Sequence, residues 1–280
     1  MRPRPVWVDQ LVTGTRDARA GQLSRFLPPP GHPRRSAVLI LFGGPATASG
    51  PAPVSDAVSD AVSAPVSDAV SGAAARNGGR ALPPDGVDVL LTERAGTLRS
   101  HAGQVAFPGG RIDPDDDGPG AAALREAHEE TGLDPAGVEL LAQLPDLYLP
   151  VSDYAVTPVL AWWHAPSPVG VRDPAEVAHV ARVPVTELVD PDHRFSARHP
   201  RGFVGPAFRA GDLFVWGFTA GLLDRVLHLA GWERPWDPAR LQDVPLPPDV
   251  PLLDLAPLPH VLRPDVAPLP DPPPDRSAPA

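Results

Sequence analysis

Between Gly109 and Leu133 the chain reads GGRIDPDDDGPGAAALREAHEETGL, and no other stretch restricts the fold and chemistry as much. It sets Arg125-Glu126 and Glu129-Glu130 in one short segment just after a double glycine. On a helix, Glu126, Glu129 and Glu130 stand at i, i+3 and i+4 and so project from one face. Like charges at that spacing repel by roughly a few tenths of a kcal/mol per pair, and a cation among them reverses the sign. Hard divalent cations take such all-oxygen sites and usually share them with a phosphate group. The segment therefore reads as a metal–diphosphate site. Against it stands the commoner fate of a Glu-rich helix face, which is plain solvation.

The order of residues favours the sharper reading. Arg125 to Leu133 (REAHEETGL) resembles the second half of the Nudix box, R-E-U-x-E-E-x-G-U with U aliphatic. Ala127 and Leu133 fill the aliphatic places and Gly110 supplies the leading glycine. One departure stands out: the box carries a Glu between that glycine and the Arg, where this chain has Asp113-Pro114-Asp115-Asp116-Asp117 and one extra residue of spacing. Asp116 and Asp117 are the two candidates for the missing Glu. The same run matches the start of an EF-hand calcium loop, but the twelfth position, which needs a bidentate Glu, is Leu124.

Upstream, Leu98 to Gly110 (LRSHAGQVAFPGG) is similar to the L-R-x-H-x-G-x-V-x-F-P-G-G run of the coenzyme A pyrophosphatase branch of Nudix hydrolases. Pro150 to Val159 and Val215 to Leu223 resemble that branch's strand after the box and its C-terminal helix. The resemblance implies an α/β/α sandwich of the Nudix type with a mixed β-sheet. It implies cleavage of coenzyme A by water to 3′,5′-ADP and 4′-phosphopantetheine, with Mg²⁺ or Mn²⁺ as cofactor. Glu126, Glu129 and Glu130 become the metal ligands, joined by a backbone carbonyl at Gly110, and Arg125 braces a glutamate. The general base is a box glutamate or Glu176, in the later segment Asp173-Pro-Ala-Glu-Val. Arg99, His101 and Gln104 would face the substrate, the alternative being residues that fix the approach to the glycine turn. His128, at the variable box position, is expected exposed, and at least one of Trp162 and Trp163 is expected in the core. Two other readings stay open: a Nudix hydrolase acting on ADP-ribose, a dinucleotide polyphosphate or a nucleoside triphosphate, and a non-catalytic binding protein of that fold. The intact glutamates and Arg125 argue against the last.

Composition removes whole classes of chemistry. No lysine occurs, so a P-loop lysine, a Schiff base and a lysine base are excluded. No cysteine occurs, which excludes disulfides, thiol nucleophiles and cysteine-ligated zinc. A formal charge of −10 makes a general nucleic-acid binder improbable, since phosphate neutralisation drives that affinity. The partner expected is a small-molecule nucleotide, with no nucleic acid and no membrane. No signal-peptide core follows the amino-terminal arginines, and no apolar run approaches the ~20 residues of a membrane helix. A cytoplasmic protein is the simplest expectation.

Along the chain, residues 1–35 read as an extension, 36–240 as the hydrolase domain, and 241–280 as a proline-rich disordered tail. A low-complexity insert at 43–86, with Ser-Asp-Ala-Val repeated, separates two expected strands at Ser36–Phe42 and Val87–Thr92. Further strands are expected at Val138–Gln143, Tyr154–Trp163 and Val177–Val183. A hairpin turning at Ala210–Asp212 and a helix over Gly217–Leu229 complete the reading.

Overall fold

The computed structural model describes residues 4–44, 76–77, 80–81, 83, 85–98, 101–200 and 202–245. Most of the expected insert, Arg99 and the tail beyond Pro245 lie outside the described residues. In chain order the elements are α1 (Val6–Thr15), α2 (Ala20–Leu23), β1 (Arg35–Gly43), a small ladder of β2 (Arg76–Asn77) with β3 (Arg80–Ala81), β4 (Asp88–Arg94), β5 (Val105–Ala106) and β6 (Gly109–Arg111). Then come α3 (Pro119–Thr131), β7 (Val138–Gln143), β8 (Leu147–Leu149), β9 (Tyr154–Trp163), β10 (Val177–Pro184) and α4 (Val185–Leu188). The order closes with β11 (Arg194–Arg198), β12 (Val204–Ala210), β13 (Leu213–Val215), α5 (Gly217–Leu229) and β14 (Leu241–Asp243).

The main sheet runs β10-β4-β1-β9-β7, with β5 on β4, β6 on β1 and β8 on β9. Its centre is the parallel pair β1–β9, in register from Arg35↔Ala155 to Gly43↔Trp163, and the other pairings are antiparallel, so the sheet is mixed. Both central strands are apolar on both faces because both faces are covered. Period-two alternation then sorts the side chains. Ala37, Leu39, Leu41, Val159, Ala161 and Trp163 point to the layer under α3, with Ala122, Ala123 and Ala127 of that helix. Ile40, Phe42, Leu160 and Trp162 point to the opposite layer, which holds α1 and α5. Helix, sheet and helix in that order make the expected α/β/α sandwich, and both tryptophans are buried.

Three findings differ from the sequence reading. Residues 1–35 were set apart as an extension, yet Trp7, Val8, Leu11 and Leu23 of α1 and α2 are buried in the same core as α5. Each such side chain contributes about 1.5–3 kcal/mol on burial, so packing, not propensity, holds so short a helix. Next, Arg194–Arg198 forms a strand that pairs with the expected hairpin into a second sheet, β13-β12-β11-β14. Finally, the tail begins later than 241, because Leu241–Asp243 adds a parallel edge strand to β11. Among the described residues no helix is long and apolar enough to cross a membrane.

The open edge of β1 positions the site. β4 takes only its end, at Phe42↔Val89 and Gly43↔Asp88, and β6 takes its beginning, at Ser36↔Arg111, Ala37↔Gly110 and Val38↔Gly109. The glycine pair is thereby pinned to the central strand, directly beside α3.

Candidate active site

Helix α3 starts with Pro119, whose missing N–H costs nothing at a helix start. It stops at Gly132, which takes the left-handed conformation at φ 73° and returns its N–H to the carbonyl of His128. Small residues on one side let the helix lie close to the sheet, and this turns Glu126 and Glu130 toward β6. Glu130 is buried, and its Oε2 accepts a hydrogen bond from the backbone N–H of Gly109 at 3.2 Å. The carboxylate of Glu126 lies against Gly110 so closely that a Cβ there would stand 2.3 Å from its Oε1. A side chain at Gly110 would displace that carboxylate, whereas one at Gly109 would meet the backbone carbonyl oxygen of Ala37 at 2.3 Å, so packing requires glycine at 109.

Arg125 organises the open side. Its Nε and Nη2 donate to the two oxygens of Asp116 at 3.0 and 2.9 Å, a two-pronged bond that matches guanidinium to carboxylate. Nη2 also donates to the carbonyl of Arg111 at 3.0 Å. Nη1 donates to Glu129 at 3.2 Å and lies 3.1 Å from Glu126 Oε1. Arg125 therefore stands between two of the three glutamates and ties them to the loop before the helix. The structure distinguishes the two candidates for the missing acidic residue: Asp116 engages Arg125, and Asp117 is exposed.

The electrostatics follow from this layout. Burial above all, with the negative charges of Glu126 and Glu176 adding, pushes the Glu130 carboxyl up to about 7; the Gly109 N–H and Arg94 oppose the shift. Burial also raises Glu126, against the pull of Arg125. The paired hydrogen bonds from Arg125 hold Asp116 below the ordinary carboxylate range, and the same bonds make Arg125 a still weaker acid than usual. The result is two partly desolvated carboxylates facing a strand turn, with their charge unwelcome.

That arrangement fits a hard divalent cation in its donor chemistry. The donors are all oxygens, the space at Gly110 is kept free of a side chain, and a cation would offset the burial, and the lesser repulsion, that raise Glu130. As placed, the expected ligands Glu126, Glu129, Glu130 and Gly110 are neighbours but not a closed set. Among the described residues no three acidic or histidine side chains gather tightly enough to hold an ion. Glu126 and Glu129 are instead ion-paired with Arg125.

The remaining expected residues divide. Glu176 is exposed, in a turn where its N–H reaches the carbonyl of Asp173 and its carbonyl accepts from Ala95, and its charge is felt at Glu130. His101 and Gln104 come together, with Nδ1 of the histidine 2.9 Å from Oε1 of the glutamine. His101 adopts φ 58°, and the carbonyl of Gln104 accepts from the N–H of Arg94. The pair is thus built into the turn between β4 and β5. Arg99 is outside the described residues. His128 is exposed and bonds the carbonyl of Leu133 at 2.8 Å. Arg94, in the run Leu90–Arg94 just upstream of the L-R-x-H segment, has no role in the sequence reading; the structure brings its charge to bear on Glu130.

Comparison of sequences finds one family. The sequence pattern of the NUDIX domain matches residues 67–202. Over 158 residues the chain is 39% identical to the uncharacterized Nudix hydrolase NudL of Cronobacter sakazakii, covering 52% of this chain and 77% of that one. Its similarity to the protein of the same description from Escherichia coli K12 is 38% identity over 146 residues, covering 48% and 71%. A solved structure, a Nudix hydrolase from M. smegmatis (RenU), aligns at 16% identity with a TM-score of 0.39, over 73% of this chain and 89% of that one.

Proposed function

This chain belongs to the Nudix hydrolase family, and we propose that its reaction is metal-dependent hydrolysis of the diphosphate bond of coenzyme A or its derivatives. The products are 3′,5′-ADP and 4′-phosphopantetheine. The observation that carries the substrate is the run Leu98 to Gly110, which resembles the coenzyme A branch and leads through β5 directly into the glycine pair beside Glu126 and Glu130.

Hydrolysis forms a P–O bond from water, breaks the bridging P–O bond, and delivers the proton of the water to a base. Glu126, Glu129 and Glu130, with the carbonyl of Gly110, would hold Mg²⁺ or Mn²⁺. When bound, the ion neutralises charge gathering on the diphosphate. Arg125 pairs with Glu126, Glu129 and Asp116 and so ties the helix carboxylates to the loop before the helix. The Gly109 N–H fixes Glu130. The proton acceptor is a glutamate of α3 or Glu176, which faces the same cluster electrostatically. His101 and Gln104, and Arg99 beside them in sequence, would contact the substrate.

The test is a mass analysis of products after incubation with coenzyme A, and in parallel with ADP-ribose, in Mg²⁺ and then Mn²⁺. Appearance of 3′,5′-ADP and 4′-phosphopantetheine supports the reading. Hydrolysis of ADP-ribose with coenzyme A left intact overturns it.

A further inference from the structure

One cationic cleft is unused by the roles above. It holds about 340 Å³ and is lined by Pro33, Arg34, Arg35, Arg111, Ile112 and Tyr154. Its position follows from strand register. Arg111 lies opposite Ser36 on β1, one residue beyond the Gly110↔Ala37 pair, and the N–H of Ile112 returns to the carbonyl of Arg35. Tyr154 enters from β9, whose Ala155 pairs with Arg35. The ends of three strands thus bring three arginines to one cleft.

In a chain of formal charge −10, the local balance here is reversed. Arg34 stacks over the ring of Tyr154 at 4.4 Å and reaches Asp153 only at 3.8 Å. Arg35 reaches Asp146 at 3.4 Å. Arg111 has an exposed side chain with no hydrogen bond or ion pair to another described residue, although its carbonyl is held by Arg125 at 3.0 Å. Two aspartates answer three arginines, and both ion pairs are long and solvated, so they hold the side chains weakly. A dianion presented to this cleft would find forked donors suited to phosphate oxygens. Arg111 follows Gly110 and its carbonyl accepts a hydrogen bond from Arg125, so the cleft adjoins the strand that carries the glycine pair.

We propose that the cleft of Arg34, Arg35 and Arg111 is a subsite for a phosphomonoester carried by the substrate outside its scissile diphosphate. This rests on the reading that the diphosphate is cleaved at Glu126–Glu130. It makes a nucleotide with an extra ribose phosphate the preferred substrate class, and coenzyme A, with its 3′-phosphate, is of that class.

Two readouts separate this subsite from the reaction itself. The first is calorimetric binding of 3′,5′-ADP and of 5′-AMP in metal-free buffer, to the full chain and to Arg111→Gln and Arg34→Gln. The expected result is 3′,5′-ADP at least tenfold tighter than AMP in the parent chain, and a preference reduced to about twofold in either variant while AMP affinity stays the same. Equal affinities in the parent, no binding of 3′,5′-ADP, or a preference that survives both substitutions would overturn the subsite. The second readout is kcat/KM for coenzyme A against its 3′-dephospho form. A tenfold preference lost in Arg111→Gln supports the subsite. Equal use of both substrates leaves coenzyme A hydrolysis standing and removes the subsite. Selective binding of 3′,5′-ADP without any hydrolysis of coenzyme A leaves the subsite standing and removes the proposed reaction.

Discussion

Two arginines in this protein each meet carboxylates, and the two clusters have opposite designs. Arg125 lies at the start of the site, its side chain 29% exposed, shared among Asp116, Glu126 and the 56% exposed Glu129. Arg194 lies under α5 with its side chain fully buried, ion-paired to Asp224 and 3.5 Å from Glu233. Its guanidinium is also held between the rings of Phe208 and Trp236, at 4.8 and 4.5 Å. The buried cluster joins β11 to α5 and has no opening to a ligand. The open cluster has spare acceptors, a helix face turned to a glycine turn, and a carboxyl shifted by burial. The same residue types therefore make a clamp where water is excluded and, in the proposed function, a reaction centre where it is admitted.

Substitutions can break or sharpen that contrast. The largest effect is expected for Asp224→Ala, which removes the carboxylate nearest the buried Arg194 and should cost about 3–5 kcal/mol of stability. Urea unfolding reads this directly, and a loss below 1 kcal/mol would mean that the buried pair is no clamp.

Next is Glu130→Gln, measured without metal. The ordinary glutamate value is 4.5 and the folded value is about 7, so between those pH values the unfolded chain has released a proton that the folded chain retains. Stability contributed by the neutral carboxyl is full below pH 4.5, falls as pH rises, and is gone above 7. The shift corresponds to about 3 kcal/mol. The Gln variant should therefore be more stable than the parent at pH 8 by up to that amount and equal to it near pH 4. Parallel stability profiles would contradict the desolvated carboxyl.

Glu129→Gln is expected to lower kcat by at least ~100-fold, about 2.7 kcal/mol of barrier, with a change in stability within about 0.5 kcal/mol because the side chain is exposed. Full turnover in a folded variant would remove Glu129 from the reaction. The smallest effect is expected from deleting residues 50–75. Activity and melting temperature should stay nearly constant, because length in a strand connection adds little closure entropy. A large fall in either would make the insert part of the working structure.

What was legible in the sequence was what local pattern controls. β7, β9 and α5 lie at the expected residues because short apolar runs mark the two strands and a period of 3.6 is written in the helix. α1 was not legible, since VWVDQLVTGT is short and follows a proline, and its place comes from distant contacts such as Trp7 with Trp232. β11 (RFSAR) and β14 (LQD) are polar and short, and become strands only by pairing. Within the site, the glutamate face was readable from spacing. The roles of Asp116 and the Gly109 N–H were not, because they depend on how the loop 112–118 folds back and how β6 docks on β1. The burial of Arg194 was equally hidden, its partners being far along the chain.

The claim that the open cluster is the cation site is tested most directly by electron paramagnetic resonance of Mn²⁺ titrated with the protein, since free ion gives the signal and bound ion loses it. Uptake by the parent chain is expected, lost in Glu126→Gln and retained in a variant of the buried cluster that still folds, such as Asp224→Asn. Equal uptake by the parent chain and Glu126→Gln would place the cation elsewhere and contradict the assignment.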